Sequence, residues 1–411
     1  MECLSEKTLK TAKQHLEWFV GFSEAEASFS ISKEGNLSFR INLHSDDLIS
    51  LKYIKNLLSK LSNRDIGIIV ESKKVTESYY SINKFQDIYE VIIPIFNKYF
   101  FTTSKYLDFS DFQRAAEIKA VAYLENRSIN SEELSEILKL KSKINTKRIN
   151  FDVSTLPKRE LTPNRLLGFI EGDGSFTITN KSPELYIGIH IKNVHFLYEI
   201  SEFFEKLPYN PSIGCREDMV DSKPKPVIRI SEKVGSLAVF NILQIFNYIL
   251  PFFKSLEFKS RKSEDFIYWE IAVNLKALGY TTDPQGLQYL VDIISCINNK
   301  RYSSNLNKTN VPDLNQIKNF LDTTPPIFDL TTGLSYKQLS AKIINARRGN
   351  KGFGVNVYDQ GKLVEGSPFS SYAEAASTVL GSKIHGSTIS KKIDTNKLYK
   401  QRYLFKSVIL K

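Results

Sequence analysis

The apolar residues Leu16, Phe19, Val20 and Phe22 fall at helical spacing, and the charged run Glu24-Ala25-Glu26 follows them. The pattern then switches to alternation. SFSISKEGNLSFRINLH, from Ser28, predicts two strands turned at Glu34-Gly35-Asn36. A helix is predicted over 47–61, then a second strand pair, then a helix opening near Ile92. The same succession restarts at Thr162, where Pro163 behind a threonine supplies an N1 proline after an N-cap. SFTITNKSPELYIGIHI, from Ser175, is expected to turn around Ser182-Pro183, with a helix over 194–207. Each series reads αββαββα, so the expected class is α+β, with sheets that keep one face free. The most apolar stretch, 237–253, carries Asn241, Gln244 and Asn247 three residues apart. It reads as an amphipathic helix, and no membrane span is expected.

The two series are copies. WFVGFSEAEASFSI from Trp18 aligns with RLLGFIEGDGSFTI from Arg165 at an offset of 147, sharing Gly21/Gly168, Phe22/Phe169, Glu24/Glu171 and Phe29/Phe176. INLHSDDLISLKYIKNLLSKL aligns with IGIHIKNVHFLYEISEFFEKL at 146. IIPIFNKYFFTTSKYLDF aligns with ILPFFKSLEFKSRKSEDF at 157, sharing Lys105/Lys262 and Asp108/Asp265. INTKR from Ile144 matches INNKR from Ile297. Four blocks in one order predict two domains, 12–150 and 160–303, forming a pseudo-dimer within a monomer.

Gly21 and Gly168 each cost a helix interior about 1 kcal/mol relative to alanine. A cost repeated in both copies predicts close contact between two helix backbones. Packed about the pseudo-two-fold, these helices bring Glu26 and Asp173 side by side. Both carboxylates lie at the negative ends of helix dipoles and repel each other, so one should hold a proton unless a divalent cation lies between them. Oxygen ligands favour Mg²⁺, with Mn²⁺ as a substitute. Paired carboxylates and a hard cation on a basic chain point to metal-assisted phosphodiester hydrolysis. One Glu-x-Glu at a helix end is a solvated face; its second copy within a domain-length repeat argues for a site. Glu24 and Glu171 fall on another helical face and read as structural, capping or balancing charge.

FVGFSEAEA and LLGFIEGDG resemble the two motifs of single-chain LAGLIDADG homing endonucleases. The blocks IIPIFNKYFFTTSKYLDF and INTKRINF are similar to those of intron-encoded members from fungal mitochondria. The resemblance covers about 12–305. It implies two αββαββα halves whose sheets form a saddle over double-stranded DNA, cutting both strands of a long asymmetric target and promoting group I intron mobility. It further implies metal ligation by Glu26 and Asp173, helped by the carbonyls of Ala25 and Gly172, and a catalytic lysine on a late strand of each half. Lys84 matches that context in the first half; the second offers Lys233 at one register or Arg229 at another. Arg40, Arg229, His44 and His190 are expected to face DNA, the histidines through hydrogen bonds or phosphate contact rather than metal ligation. Ala27 stands where the family commonly has glycine, which raises the alternative of a maturase acting on its host group I intron RNA. A DNA-binding protein without catalysis is a third reading.

Residues 304–335 are rich in Asn, Thr and Pro and read as a linker with one short helix. Within 336–411, GVNVYDQGKLVEGSPF predicts two strands turned at Gln360-Gly361, and SSYAEAASTVLG a serine-capped helix ended by Gly381. A second short helix bears Ser387, Thr388, Lys391 and Lys392, the layout of a helix-turn-helix reader. This stretch resembles the nuclease-associated modular DNA-binding domains at the tails of homing endonucleases. The formal charge of +11 belongs here: residues 335–411 hold 14 basic and 4 acidic groups, residues 1–334 hold 42 and 41. Such a tail suits a polyanionic partner. Three scattered cysteines exclude a disulfide scaffold and fit a reducing compartment. The N-terminus shows neither a signal nor a transit pattern, and the Asn, Lys, Ile and Ser usage suits an AT-rich organellar genome. An organelle-encoded mitochondrial protein is therefore expected.

Overall fold

Each acidic motif ends a helix and runs straight into a strand. The helix Lys13–Glu26 leads into β1 (Ala27–Ile31) and β2 (Leu37–His44), followed by β3 (Ile68–Glu71) and β4 (Glu77–Ile82). The helix Pro163–Asp173 leads into β5 (Gly174–Thr179) and β6 (Ser182–His190), followed by β7 (Val227–Ile230) and β8 (Val234–Val239). The structure, a computed structural model, describes residues 4–71, 76–145, 148, 151, 160–209, 223–298, 312–324, 352–381, 386–395 and 397–410. The chain divides into two compact units, 1–328 and 329–411.

The first unit holds two antiparallel sheets of the same order, β1-β2-β4-β3 and β5-β6-β8-β7. Their registers repeat as well: Ala27 pairs with Ile41, and Gly174 with Ile187. Alternation in β2 buries Phe39 and Ile41 and leaves Arg40 and Asn42 on the other face. Helices cover the buried faces: Leu48–Ser62, Lys105–Leu124 and Ser131–Lys141 in the first half; Val194–Glu205, Lys262–Ala277 and Pro284–Cys296 in the second. The half-cores are built alike. Phe29 packs against Phe39, Phe96, Phe101, Phe109 and Phe112, and its counterpart Phe176 against Phe253, Phe258, Phe266 and Trp269. The late INTKR and INNKR blocks also do one job. Asn145 and Asn298, both left-handed, donate side-chain hydrogen bonds to the Phe29 and Phe176 carbonyls (2.6 and 3.0 Å) and backbone ones to Asp108 and Asp265.

Three details depart from the sequence expectations. The β5–β6 turn is Asn180-Lys181 (φ 51° and 60°), not Ser182-Pro183, because asparagine tolerates the left-handed region and a two-residue turn suits the strand twist. Residues 237–253 are not one helix: β8 runs to Val239, and helical structure starts at Ile242 behind the N-cap Asn241. Asn247 is fully buried there rather than on a polar surface. The one short helix expected within 304–335 is Leu314–Thr323, whose Ile317 is buried and whose Phe320 packs on Tyr280 and Tyr289. Among the described residues, no helix is long and apolar enough to cross a membrane.

The second unit is a three-stranded sheet with two short helices. Its strands are β9 (Gly352–Asp359), β10 (Lys362–Leu363) and β11 (Tyr403–Leu410), in the order β10-β9-β11. The sequence reading lacked β11. Gln360 and Gly361 make the turn with positive φ. Ser371 caps the helix Tyr372–Leu380, left-handed Gly381 ends it, and Gly386–Lys392 follows.

In the first unit, a Cβ on Gly21 would lie 2.0 Å from the Arg165 carbonyl oxygen, and one on Gly168 would lie 2.1 Å from that of Trp18. Both obstacles are backbone, so Gly21→Ala should destabilise the protein by about 3 kcal/mol, in the upper range of overpacking. Gly361→Ala meets open space and should lose roughly 1 kcal/mol from its positive φ alone. Urea denaturation midpoints that rank the two variants the other way would mean the helices do not touch.

Candidate active site

The crossing at Gly21 and Gly168 brings the C-terminal ends of the motif helices together. The Ala25 methyl occupies the space that a side chain on Gly172 would need (2.3 Å), with the Glu26 side chain beside it (3.3 Å). Burial pushes the Glu26 carboxyl up to about 7, and the charges of Asp173 and Asp47 add to this while Lys262 and Lys105 oppose it. Asp173 keeps exposed surface at a cavity mouth but is hemmed in by protein on its other sides. That desolvation raises its pKa, against the pull of Lys105 and Lys262. The expected electrostatic conflict is therefore present in the fold, and two lysines moderate it.

Those lysines open the long helices of the two halves. Lys105 reaches back so that its ammonium donates to the Ala27 carbonyl. Lys262 donates to the carbonyls of Ile170 (3.1 Å), Gly172 (3.1 Å) and Gly174. Each ammonium thus sits at the negative end of a motif helix, where a cation is favoured. Burial lowers both lysine pKa values, and the surrounding carboxylates, led by Asp173 for Lys105 and Asp265 for Lys262, work the other way.

The result is two centres, each assembled from both halves. A recess of ≈ 80 Å³ combines Glu26 and Asp47 of the first half with Lys262 and Asp265 of the second. A larger cavity of ≈ 600 Å³ combines Asp173, His190 and Asn193 with Lys105 and Asp108.

The sequence profile of the LAGLIDADG endonuclease family matches residues 19–116 and 166–273, about half of the chain and one segment per half. The chain belongs to the LAGLIDADG endonuclease family. It is 26% identical to the uncharacterized mitochondrial protein RF1 of Saccharomyces cerevisiae, across 96% of this chain and 82% of that one. It is 27% identical to the probable intron-encoded endonuclease Cox1-I1b of Schizosaccharomyces pombe, over 59% of this chain and 62% of the relative. Among solved structures, the LAGLIDADG homing endonuclease I-SmaMI bound to cleaved DNA shares the fold, with TM-score 0.56 at 21% identity over 70% of this chain and 98% of that one. I-SmaMI has also been solved on uncleaved DNA with calcium ions.

On this LAGLIDADG scaffold the other candidate residues take definite places. Ala25 lines the Asp173 cavity, and the Gly172 carbonyl accepts from Lys262. Lys233 lies in the turn before β8 and lines the same cavity as Asp173 and His190. Lys84 does not reach the acid pair. It is exposed beyond β4, level with Ile31 at the far end of β1, roughly 13 Å along the strand from Ala27. The lysine beside the acids in the first half is Lys105, which the sequence reading passed over. Its signal was there, since Lys105 and Lys262 occupy one aligned position of the repeated block.

Arg40 stands on the open face of β2, opposite Ser28 and Ser81, with its guanidinium stacked 4.3 Å over Tyr79. Arg229 is exposed on β7. His44 and His190 turn Nδ1 toward the backbone N–H groups of Asp46 and Lys192 (3.1 and 3.3 Å), fixing the corner after the strand. Thr388, Lys391 and Lys392 lie on the second short helix of the tail; the Ser387 side chain falls outside the described residues. Ala27 adopts φ −79°, ψ 153°, as ordinary as Gly174 at φ −82°, ψ 160°, so alanine introduces no backbone strain beside Glu26.

The raised pKa of Glu26 has a defined consequence for stability. The folded state holds a proton up to about pH 7, whereas an unfolded glutamate releases it near 4.5. Metal-free protein should therefore lose stability as pH rises through that window, by on the order of 2 kcal/mol. Glu26→Gln should flatten the slope, and a divalent cation should restore stability at pH 7.5. Thermal melts across pH 5–8 measure this; a wild-type slope unchanged in Glu26→Gln would assign the titration elsewhere.

Proposed function

We propose that this chain is a site-specific endonuclease that hydrolyses one phosphodiester in each strand of a long, asymmetric double-stranded DNA target. The observation that carries the reading is the pair of composite centres, each placing a motif carboxylate next to a half-buried lysine from the opposite half. Glu26 and Asp173 would hold the divalent ion, Mg²⁺ with Mn²⁺ as a substitute, because their hard oxygens and raised proton affinities suit a cation there. Among the described residues no cluster of three or more His, Cys, Asp or Glu is arranged to hold a metal. Mg²⁺ fits that economy, since it is commonly bound by one or two carboxylates plus water and phosphate. When bound, the ion would supply Lewis-acid stabilisation of charge at the phosphate.

Lys105 and Lys262 place positive charge at the same points, and Lys192 and Lys233 add further cations at the Asp173 mouth. The open sheet faces, carrying Arg40 and Arg229 with the histidines at the strand ends, would take the duplex. The tail would add contacts through Thr388, Lys391 and Lys392. Relatives described as mitochondrial or intron-encoded support an organellar protein that promotes mobility of a group I intron. The two halves within one chain support action as a monomer. The unstrained backbone at Ala27 removes the particular reason for preferring an RNA maturase.

Cutting of the intronless host allele with Mg²⁺ tests the reading. Glu26→Gln and Asp173→Asn should each slow cutting at least ~100-fold, the scale of losing a transition-state charge contact, while DNA binding in Ca²⁺ survives. Native protein that cannot cut, yet is needed for splicing of its own intron, would overturn it in favour of the maturase.

Deleting residues 335–411 should weaken DNA affinity and reduce the dependence of log K on log salt, with the metal-dependent chemistry intact at saturating DNA. Filter binding between 50 and 200 mM salt reads the slope. Loss of cleavage at saturation would show that the tail belongs to the chemistry.

A further inference from the structure

We propose that Glu24 and Glu171 are positioning residues, each setting the lysine of one centre and anchoring it to the motif helix of the other half. Glu171 Oε1 accepts from the Lys259 and Ser260 backbone N–H groups (2.9 and 2.6 Å) and from the Ser260 hydroxyl (2.5 Å), in the turn that opens the Lys262 helix. Its other oxygen accepts from the Trp18 indole N–H (2.5 Å), in the first motif helix. Glu24 repeats the arrangement. Oε1 accepts from the Thr102 and Thr103 backbone N–H groups (2.7 Å each), one turn before Lys105, and Oε2 pairs with Arg165 Nη2 (2.6 Å), in the second motif helix.

Trp18 and Arg165 are aligned positions of the repeat, so one geometry is executed with a neutral donor on one side and a cation on the other. All four side chains are nine-tenths or more buried. A carboxylate in this place can satisfy turn and helix together. An amide keeps one acceptor oxygen and turns a donor toward donors, so a glutamine must release one of them. Asn193 and His195 also hold the Thr102–Ser104 turn, and Arg261 beside the 259–260 turn pairs with Asp46 (2.9 Å), so each glutamate shares its task.

The inference rests on the endonuclease reading and is tested strand by strand. Because Lys262 faces Glu26 and Lys105 faces Asp173, Glu171→Gln and Lys262→Ala should slow cutting of the same strand. On a duplex labelled on both strands that loss should be on the order of tenfold to a hundredfold, the cost of misplacing a charged group by about an ångström. The other strand should keep its rate, Glu24→Gln should show the opposite bias, and Glu171→Gln/Lys262→Ala should add little to Lys262→Ala. Equal slowing of both strands would reduce Glu171 to a general stabiliser and overturn the proposal.

Glu24→Gln strands Arg165 and is the variant at risk of misfolding; Glu171→Gln leaves a neutral indole and is the decisive one. Amide hydrogen exchange on protein without DNA supplies an independent arm. Glu171→Gln should lose protection at 259–263 and Glu24→Gln at 102–106, with the motif helices unchanged. If wild-type protein nicks neither strand, the endonuclease reading fails, and the exchange arm still decides: unaltered protection at those turns would sink the positioning role.

Discussion

The whole first unit depends on two missing side chains. Because Gly21 and Gly168 have no Cβ, each motif helix lays its backbone against a carbonyl of the other, closer than any side chain would allow. From that contact follows the adjacency of Glu26 and Asp173; burial at the crossing raises the proton affinity of Glu26, and the charge of Asp173 adds to it. The same crossing lets Glu24 and Glu171 reach across to Arg165 and Trp18. A wider crossing would leave a fold with two intact sheets and no composite centre. The glycine cost to helix stability, about 1 kcal/mol each, is small beside what the contact organises.

Close packing of two acidic helix ends concentrates negative charge, and the fold answers with lysines held by those same ends. The carbonyls of residues 27, 170, 172 and 174 would otherwise add their dipoles to the carboxylates; instead they coordinate ammonium groups. The lysines therefore neutralise backbone and side chain together. The duplicated halves have diverged around this scheme: Asp47 stands by Glu26 where Asn193 stands by Asp173, and the recess on one side is much smaller than the cavity on the other. The Glu26 centre is thus the more acidic and the more confined of the two.

What could be read from sequence, and what could not, follows from distance along the chain. The repeat, the helical glycines and the acid pair were legible because each is a local pattern, and the internal copy served as its own control. The Gln360-Gly361 turn and the Ser371 and Gly381 ends of the tail helix were legible for the same reason. The lysine of the first centre was not. Lys105 lies 78 residues from the carbonyl it meets, and no periodicity reports such a contact. Lys84 was chosen by its place near a strand end, yet strand direction carries it away from Ala27. At 237–253 an apolar run hid a strand-to-helix boundary, which Asn241 marks as a cap only once the strand before it is known. β11 went unread because its pairing partner, β9, lies about 50 residues earlier.

Charge distribution sets the last constraint. With 42 basic and 41 acidic groups, residues 1–334 have almost no net field to draw in DNA from a distance. Their basic residues act only where the fold segregates them. Some are held beside carboxylates, as Arg165 is by Glu24 and Arg148 by Asp108 and Asp111, and these contribute architecture rather than attraction. Others, such as Arg40 over Tyr79, stand free of carboxylates on an open sheet face, where stacking costs the guanidinium none of its donors. The net positive charge of the chain therefore resides in residues 335–411. The half-buried Lys105 and Lys262 belong to neither group, since their charge is spent on the helix ends and the acid pair they face.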